Sequence, residues 1–347
     1  MPTVTSGKVL VTGANGYVAT WIIKTLLEKG YSVRGAVRSE AKGAHTRNLF
    51  ASYGDKFELC VVEDITKDGA FDDAVKDVDA IEHVASPVTL SAVDPNELIK
   101  PAVEGTRGIL QSALRHGTRV KRFVMTSSTS AVKEIGVPGR HVYSETNWNW
   151  KAVREVNEKG ASADQMEKYC ASKTLAERFA WDFYEEKKES GIPFDIVTVI
   201  PPYIFGPWLH EIKDPSVLNV PNNMFYDDVI QGKADNETLA NFGYQWVDVR
   251  DLALAHVLSL ENEEAGGKRL LISAGNFKLQ DLVNSARRFS DEIPLGNTSY
   301  RKEAAEHLAT LDTSKTVAIL PQLHYRDLED TTLAILECCE KNGWWSR

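Results

Sequence analysis

Tyr169 and Lys173 stand four residues apart in the run Tyr169-Cys170-Ala171-Ser172-Lys173. In a helix that spacing puts both side chains on one face, one turn apart. A free phenol titrates near 10, too high for efficient proton exchange at neutral pH. An ammonium at about 4 Å, with an effective dielectric near 20, favours the phenolate by roughly 4 kcal/mol, or about three pKa units. The pair is therefore expected to give a tyrosine that titrates near pH 7 and acts as a general acid. A tyrosine and a lysine that merely share a helix face are common, so the pair needs partners. Thr126-Ser127-Ser128 supplies hydroxyls at the end of the apolar run Arg122–Met125. Ser128 is the expected hydrogen-bond donor to a substrate oxygen, with Ser127 the alternative. Serines also fill such turns through local backbone bonds.

A second constellation, Thr12-Gly13-Ala14-Asn15-Gly16-Tyr17-Val18-Ala19, follows the apolar run Lys8-Val9-Leu10-Val11 and opens an amphipathic stretch from Tyr17 to Lys29. A buried strand, a glycine turn and a helix N-terminus together make a phosphate site. Side chains at Gly13 or Gly16 would obstruct a pyrophosphate. By itself Gly-x-x-Gly-x-x-Ala is weak, since it lacks the closer glycine spacing of the commonest dinucleotide fingerprint. Its place directly after the first strand, together with the serines and the Tyr-x-x-x-Lys pair, is harder to obtain by chance. The second strand bears on the choice of dinucleotide. An NAD site usually places an acid about 20 residues past the glycine turn. Here the chain reads Val33-Arg34-Gly35-Ala36-Val37-Arg38-Ser39, with no carboxylate before Glu40. Arg38 can instead make charge-assisted bonds to a ribose 2′-phosphate and stack on an adenine.

These residues need a scaffold, and the pattern of the chain provides one. Strand candidates are Val9–Thr12, Ser32–Val37, Glu58–Val62, Ala80–Val84, Arg122–Thr126 and Phe194–Val199. Helix candidates between them run Tyr17–Lys29, Ala41–Tyr53, Phe71–Lys76, Glu97–His116 and Ala163–Ser190. Strict alternation implies right-handed crossovers and a parallel sheet covered on both faces. The expected fold is α/β, a Rossmann-type doubly wound parallel sheet with a smaller mixed C-terminal substrate lobe. After Pro201-Pro202 the alternation loosens into loop signals around one helix-like piece, Met224–Gln231. Order returns with a helix at Val249–Leu260, a strand at Arg269–Ser273, and helices at Leu279–Phe289 and Asp327–Lys341. Residues 1–201 are expected to form the dinucleotide-binding domain, with 243–275 returning to it. Residues 202–242 and 276–347 are assigned to the substrate lobe.

Bulk properties narrow the function classes. At 347 residues the chain can bury a large core, and its formal charge of −9 argues against a nucleic-acid surface. The first residues carry no basic region followed by an apolar stretch, and no run approaches the roughly 18 apolar residues of a membrane span. Cys60, Cys170, Cys338 and Cys339 have no metal-ligand spacing, and read as reduced thiols of a cytoplasmic protein. No metal is expected, and a homodimer is left open.

The chain resembles the extended short-chain dehydrogenase/reductases, in the branch of dihydroflavonol reductases, cinnamoyl-CoA reductases and fungal methylglyoxal/aldehyde reductases, and is most similar in wording to the fungal carbonyl reductases. The resemblance covers nearly the whole chain. Besides the motifs above it rests on Glu63-Asp64-Ile65, His83-Val84-Ala85-Ser86-Pro87, Pro101-Ala102-Val103-x-Gly105-Thr106, Pro202-Tyr203-x-x-Gly206-Pro207 and Val247-Asp248-Val249-Arg250-Asp251-Leu252-Ala253-x-Ala255-His256. It implies that Ser128, Tyr169 and Lys173 form a catalytic triad and that Lys173 also binds the nicotinamide ribose. Asp64 and Ile65 would contact the adenine, Ala85 would lie beside the cofactor and Ile204 beside the nicotinamide. The Arg38-Ser39 ending implies NADPH, with Lys42 assisting. Glu104 stands where many relatives carry a relay asparagine, which puts that relay in doubt.

The expected activity is reduction of aldehydes and ketones, keto esters included, by hydride transfer from NADPH with Tyr169 as general acid. Matching loop positions in the family point to Val88, Thr129, Tyr203, Trp208 and Trp246 as substrate pocket. These mostly apolar groups suit a small carbonyl compound better than a nucleotide sugar, although late tryptophans are more often core. Two alternatives stand beside this reading: an NAD-dependent nucleotide-sugar epimerase or dehydratase, with His210 and Lys213 near the diphosphate, and a non-catalytic dinucleotide sensor.

Overall fold

A computed structural model describes residues 3–86 and 91–346. Val88 lies outside the described residues.

The chain begins β1 (Lys8–Thr12), α1 (Tyr17–Glu28), β2 (Ser32–Val37), α2 (Glu40–Leu49), β3 (Phe57–Val61) and β4 (Ala80–His83). It continues α3 (Asn96–His116), β5 (Arg122–Thr126), β6 (His141–Tyr143), α4 (Trp150–Lys159), α5 (Gln165–Lys188) and β7 (Asp195–Ile200). Then come β8 (Tyr203–Phe205), α6 (Val220–Met224), α7 (Asn236–Asn241), β9 (Gln245–Asp248), α8 (Val249–Glu261) and β10 (Lys268–Leu271). The last elements are β11 (Gly275–Asn276), α9 (Leu279–Ala286), β12 (Ala309–Leu311), α10 (Ser314–Ile319) and α11 (Leu328–Lys341).

Seven parallel strands form the main sheet in the order β10-β7-β5-β4-β1-β2-β3. Successive side chains on a strand point to opposite faces, so a run such as Val9-Leu10-Val11 must be apolar throughout when both faces are covered. Val9 and Val11 pack with Ile22, Ile23 and Leu26 of α1 and Leu252 of α8 on one face. Leu10 joins Ile109 and Leu110 of α3 and Ala176 and Ala180 of α5 on the other. The order of strands changes direction between β1 and β4, and ligands of such sheets bind at the carboxyl ends beside that point. The glycine turn follows β1 there, and Ser128 follows β5 two strands away.

A smaller sheet, β11-β9-β8, and a lobe core of Phe205, Trp208, Phe225, Trp246, Phe277, Leu282 and Leu336 lie over that edge. Two expectations are corrected here. Phe71–Lys76 is a series of turns and no helix, and Asp77, at a φ of 59°, turns the chain away from helical geometry. The helical piece in the lobe starts earlier than Met224, because Pro221 sits in its first turn, where a missing N–H costs nothing, and Phe225–Ile230 continues it with π-type bonding. From 243–275, β9 and β11 belong to the smaller sheet, while α8 and β10 join the main one. Within 276–347, β12 pairs with β6 and Leu320 joins the core beneath α1 and α8, while Leu282 and Leu336 lie in the lobe core.

Candidate active site

The turn after β1 is built from bonds that only this sequence of small residues allows. Gly13 has a φ of 66°, and a Cβ there would come within 3.1 Å of Ala85 Cα. Its carbonyl accepts from Gly16 N–H at 2.8 Å, and Gly16 starts α1 with no side-chain cap. The first N–H groups of that helix are thus left for an anion. Thr12 Oγ1 accepts from the N–H groups of Val84 and Ala85 at 3.0 Å each, which ties the ends of β1 and β4 together. Its one proton then goes to His83 Nδ1, 3.1 Å away, and this accounting places the histidine's own proton on Nε2. Burial, with Lys173 adding to it, pushes the His83 pKa down to about 3, so the ring is neutral.

From this turn a cleft of about 1100 Å³ runs between the sheet edge and the lobe. It brings together Gly13, Asn15, Gly16, Tyr17, Val18, Arg38, Lys42, Asp64, Ile65, Ala85, Ser128, Thr129, Tyr169, Tyr203 and Ile204, all expected from the sequence. Ala14 is fully buried behind the turn, its N–H bonded to Ala36 O, and is absent from the lining. Trp208 and Trp246 are absent as well. Trp208 stacks on Trp344 with ring centres 5.6 Å apart, and Trp246 is buried in β9; both fill the lobe core, where large rings bury the most area. Lys213 is exposed beside Glu211, while His210 packs against the Tyr17 ring, where burial pushes its pKa down to about 4. Glu104 faces Arg107 at 3.2 Å and is not part of the cleft lining.

At the outer end, Ser39 caps α2 by accepting from Lys42 N–H at 3.3 Å, which sets Arg38 and Lys42 side by side at the cleft. The nearest acid in sequence, Glu40, accepts from Arg47 at 2.5 Å along the helix. A phosphate would meet two cations there. These groups, with the uncapped start of α1 and the Gly13 turn, fit a dinucleotide bearing a 2′-phosphate.

At the inner end the two candidate serines separate. Ser127 is buried and donates to Glu177 Oε2 at 2.6 Å. Ser128 lines the cleft with Tyr169, accepts from Ser130 N–H at 3.1 Å, and draws the phenol's pKa down. Lys173 Nζ donates to Ser86 Oγ at 2.8 Å and sits 5.7 Å from the centre of the Tyr169 ring. The expected lowering of the phenol is absent in this arrangement. Burial pushes Tyr169 up to about 12 against the opposing pull of Ser128, and burial pushes Lys173 down to about 8. Spacing placed the two side chains on one face, but the ammonium is engaged by Ser86, and loss of water outweighs the attraction.

Among the lining residues to which the sequence reading gave no role are Ser86, Ser130, Met166 and Asn219. Ser86 was within reach, since it closes the run after β4 at the ligand-binding edge. Asn219 was not. Its Nδ2 donates to Ile204 O at 3.0 Å, leaving Oδ1 buried without a partner.

Comparison with known proteins adds an independent line. Residues 9–275 match the NAD dependent epimerase/dehydratase family. A ketoreductase of Aspergillus niger is 35% identical over 343 residues, covering 95% of this chain and 98% of the relative. An NADPH-dependent methylglyoxal reductase of Saccharomyces cerevisiae is 32% identical over 340 residues, covering 93% and 95%. The crystal structure of a yeast methylglyoxal/isovaleraldehyde reductase complexed with NADPH superimposes with a TM-score of 0.85 at 30% identity, covering 97% of this chain and 100% of that one. The chain therefore belongs to the NAD-dependent epimerase/dehydratase family, among the extended short-chain dehydrogenase/reductases that include the fungal carbonyl reductases.

Proposed function

We propose that this chain reduces aldehydes and ketones to alcohols with NADPH, Tyr169 serving as the general acid. One observation carries the reading. Ser128 and Tyr169 meet at the inner end of a cleft whose outer end holds Arg38 and Lys42, where an NAD site would place an acid on the second strand. The relatives named as NADPH-dependent reductases support it.

NADPH, when bound, supplies the hydride. Ser128 Oγ already accepts from Ser130 N–H, so its proton is available to hold a carbonyl oxygen. Tyr169, pushed up to about 12, is protonated at neutral pH and hands its proton to that oxygen as negative charge gathers there. Lys173 keeps its charge below about pH 8 and offsets the phenolate left behind. The lining around Tyr169, with Met166, Thr129 and Tyr203, suits a small apolar carbonyl compound or keto ester. The free thiols fit a reducing compartment, and we assign the chain to the cytoplasm.

A panel of small aldehydes, ketones and keto esters, followed by loss of nicotinamide absorbance, tests the reading. Wild-type protein should consume NADPH, and Tyr169→Phe should turn over about a hundredfold more slowly or worse with NADPH binding intact. Near-normal turnover by that variant would remove the acid role. Conversion of a nucleotide sugar with NAD, and none of the carbonyl panel, would favour the epimerase alternative.

A further inference from the structure

Lys133 is a cation without a carboxylate partner, one aromatic layer behind the substrate end of the cleft. It follows the turn begun by Thr129 and Ser130, both in the cleft lining, and its N–H closes onto Thr129 O at 2.8 Å. Its Nζ donates to Gln245 Oε1 at 2.6 Å and lies 5.2 Å from the centre of the Tyr244 ring. Tyr244 in turn stacks on Tyr203, with ring centres 5.0 Å apart and planes 6° from parallel, and Tyr203 lines the cleft with Tyr169. Among the described residues no carboxylate forms an ion pair with this ammonium.

A structural tie alone accounts poorly for the charge. Gln245 spends its own N–H groups on Asn276 Oδ1 and Ala309 O, so it needs one donor, which a neutral side chain could give. The face of Tyr244 returns less than the loss of water costs a cation held apart from any anion. Burial duly pushes the Lys133 pKa down to about 8. The imbalance would be relieved by a negative group entering past Tyr203.

We propose that Lys133 is a specificity-determining residue that holds the carboxylate of an oxo acid whose carbonyl reacts at Ser128 and Tyr169. The inference rests on the reductase reading and adds the substrate class to it. Tyr203 and Tyr244 flank the carbon chain between the two ends.

The test uses a series of short unbranched oxo acids, each beside its methyl ester, and neutral aldehydes as reference. In the wild type the acid should exceed its ester in kcat/KM at the best chain length. Lys133→Met should lower that acid-to-ester ratio roughly tenfold or more, Lys133→Arg should retain it, and the neutral aldehydes should change by no more than about twofold. A mere structural tie would depress every substrate alike. Calorimetry on NADPH-loaded wild-type protein, comparing a short carboxylate with the matching primary amide, needs neither turnover nor a folded variant; tighter binding of the carboxylate is expected. An unchanged ratio in Lys133→Met, or equal binding of carboxylate and amide, overturns the inference. If the neutral aldehydes still turn over in that case, the reductase reading stands without it. If no carbonyl compound is reduced at all, both fall.

Discussion

Lys173 Nζ donates its hydrogen bond to Ser86 Oγ and stands 5.7 Å from the centre of the neighbouring Tyr169 ring, whose phenol Ser128 draws down in pKa. The phenol proposed as acid and the cation expected to tune it are thus kept apart, the cation tied to the loop after β4 and the phenol beside the loop after β5. Each pays for burial in its own direction, Tyr169 moving up to about 12 and Lys173 down to about 8.

That separation sets the pH dependence of reduction. The proton on Tyr169 is present throughout the neutral and mildly alkaline range. The charge on Lys173 is present below about pH 8 and lost as pH rises through it. We expect kcat/KM to fall above about pH 8, approaching a tenfold loss per pH unit, in a profile run from pH 6 to 10. Lys173→Arg, which stays charged, should be slower overall and lack this limb. A wild-type profile flat to pH 10 would show that the ammonium plays no part.

Arg38 should decide between the two nicotinamide cofactors. Its nearest acid in sequence, Glu40, is occupied by Arg47, and Arg38 faces the cleft with Lys42, with Asp64 close enough to feel its charge. A hydrogen bond to a charged group is worth about 1.5–3 kcal/mol, or roughly 10- to 150-fold in binding. Arg38→Ala should therefore weaken NADPH binding by that factor and leave NADH within about threefold, read by quenching of protein fluorescence. Equal weakening of both cofactors would mean that Arg38 supports the fold and not the choice.

Much of this site could be read in advance where function depends on neighbours in sequence. The Gly13–Gly16 turn, the Tyr169–Lys173 spacing and Arg38 at a strand end are local patterns, and the cleft contains or borders all of them. What escaped depends on contacts between distant elements. Nothing local to Ser127 and Ser128 says which one turns inward; Glu177, 50 residues on, takes Ser127. Trp208 and Trp246 stand in loop-rich sequence that fits a pocket or a core equally, and Trp344, at the far end of the chain, draws Trp208 into the core. The phenol's pKa failed for a related reason. Spacing reports distance along a helix, whereas burial and the rotamer of Lys173 are set by β4 and the lobe.

Glu177 is the clamp that holds the two halves of the site in register. It is fully buried on α5, one turn past Lys173, and accepts from Ser127 and Thr198 hydroxyls and from Arg269 Nε at 2.7 Å. Arg269 carries the connection on to the carbonyls of Glu145 and Asn147. Removing one partner of a buried pair leaves the other charge uncompensated, a cost of about 3–5 kcal/mol. Glu177→Gln should lose about that much in urea denaturation. Where it folds, it should lower kcat while leaving the KM for NADPH unchanged, because it positions Ser128 and the cofactor groups lie elsewhere. Stability within about 1 kcal/mol of wild type would refute the clamp.

His83 should make the fold sensitive to acid. Buried and bonded to Thr12, it holds no proton until pH approaches about 3, whereas in the unfolded chain it takes one up near 6.5. Below about 6.5 the unfolded state therefore binds the extra proton, and stability falls as pH drops towards 3. Between pH 7 and 5 this one ring should remove about 2 kcal/mol, at about 1.4 kcal/mol per pH unit. Other groups titrate in the same range, so the measurement is a difference. Urea denaturation of wild type and His83→Gln, whose amide can still accept from Thr12, should give pH 7-to-5 losses that differ by about this amount, wild type losing more. Parallel losses in the two proteins would mean that the ring takes up its proton in the folded state too, at the expense of the Thr12 bond, and would refute the neutral buried ring.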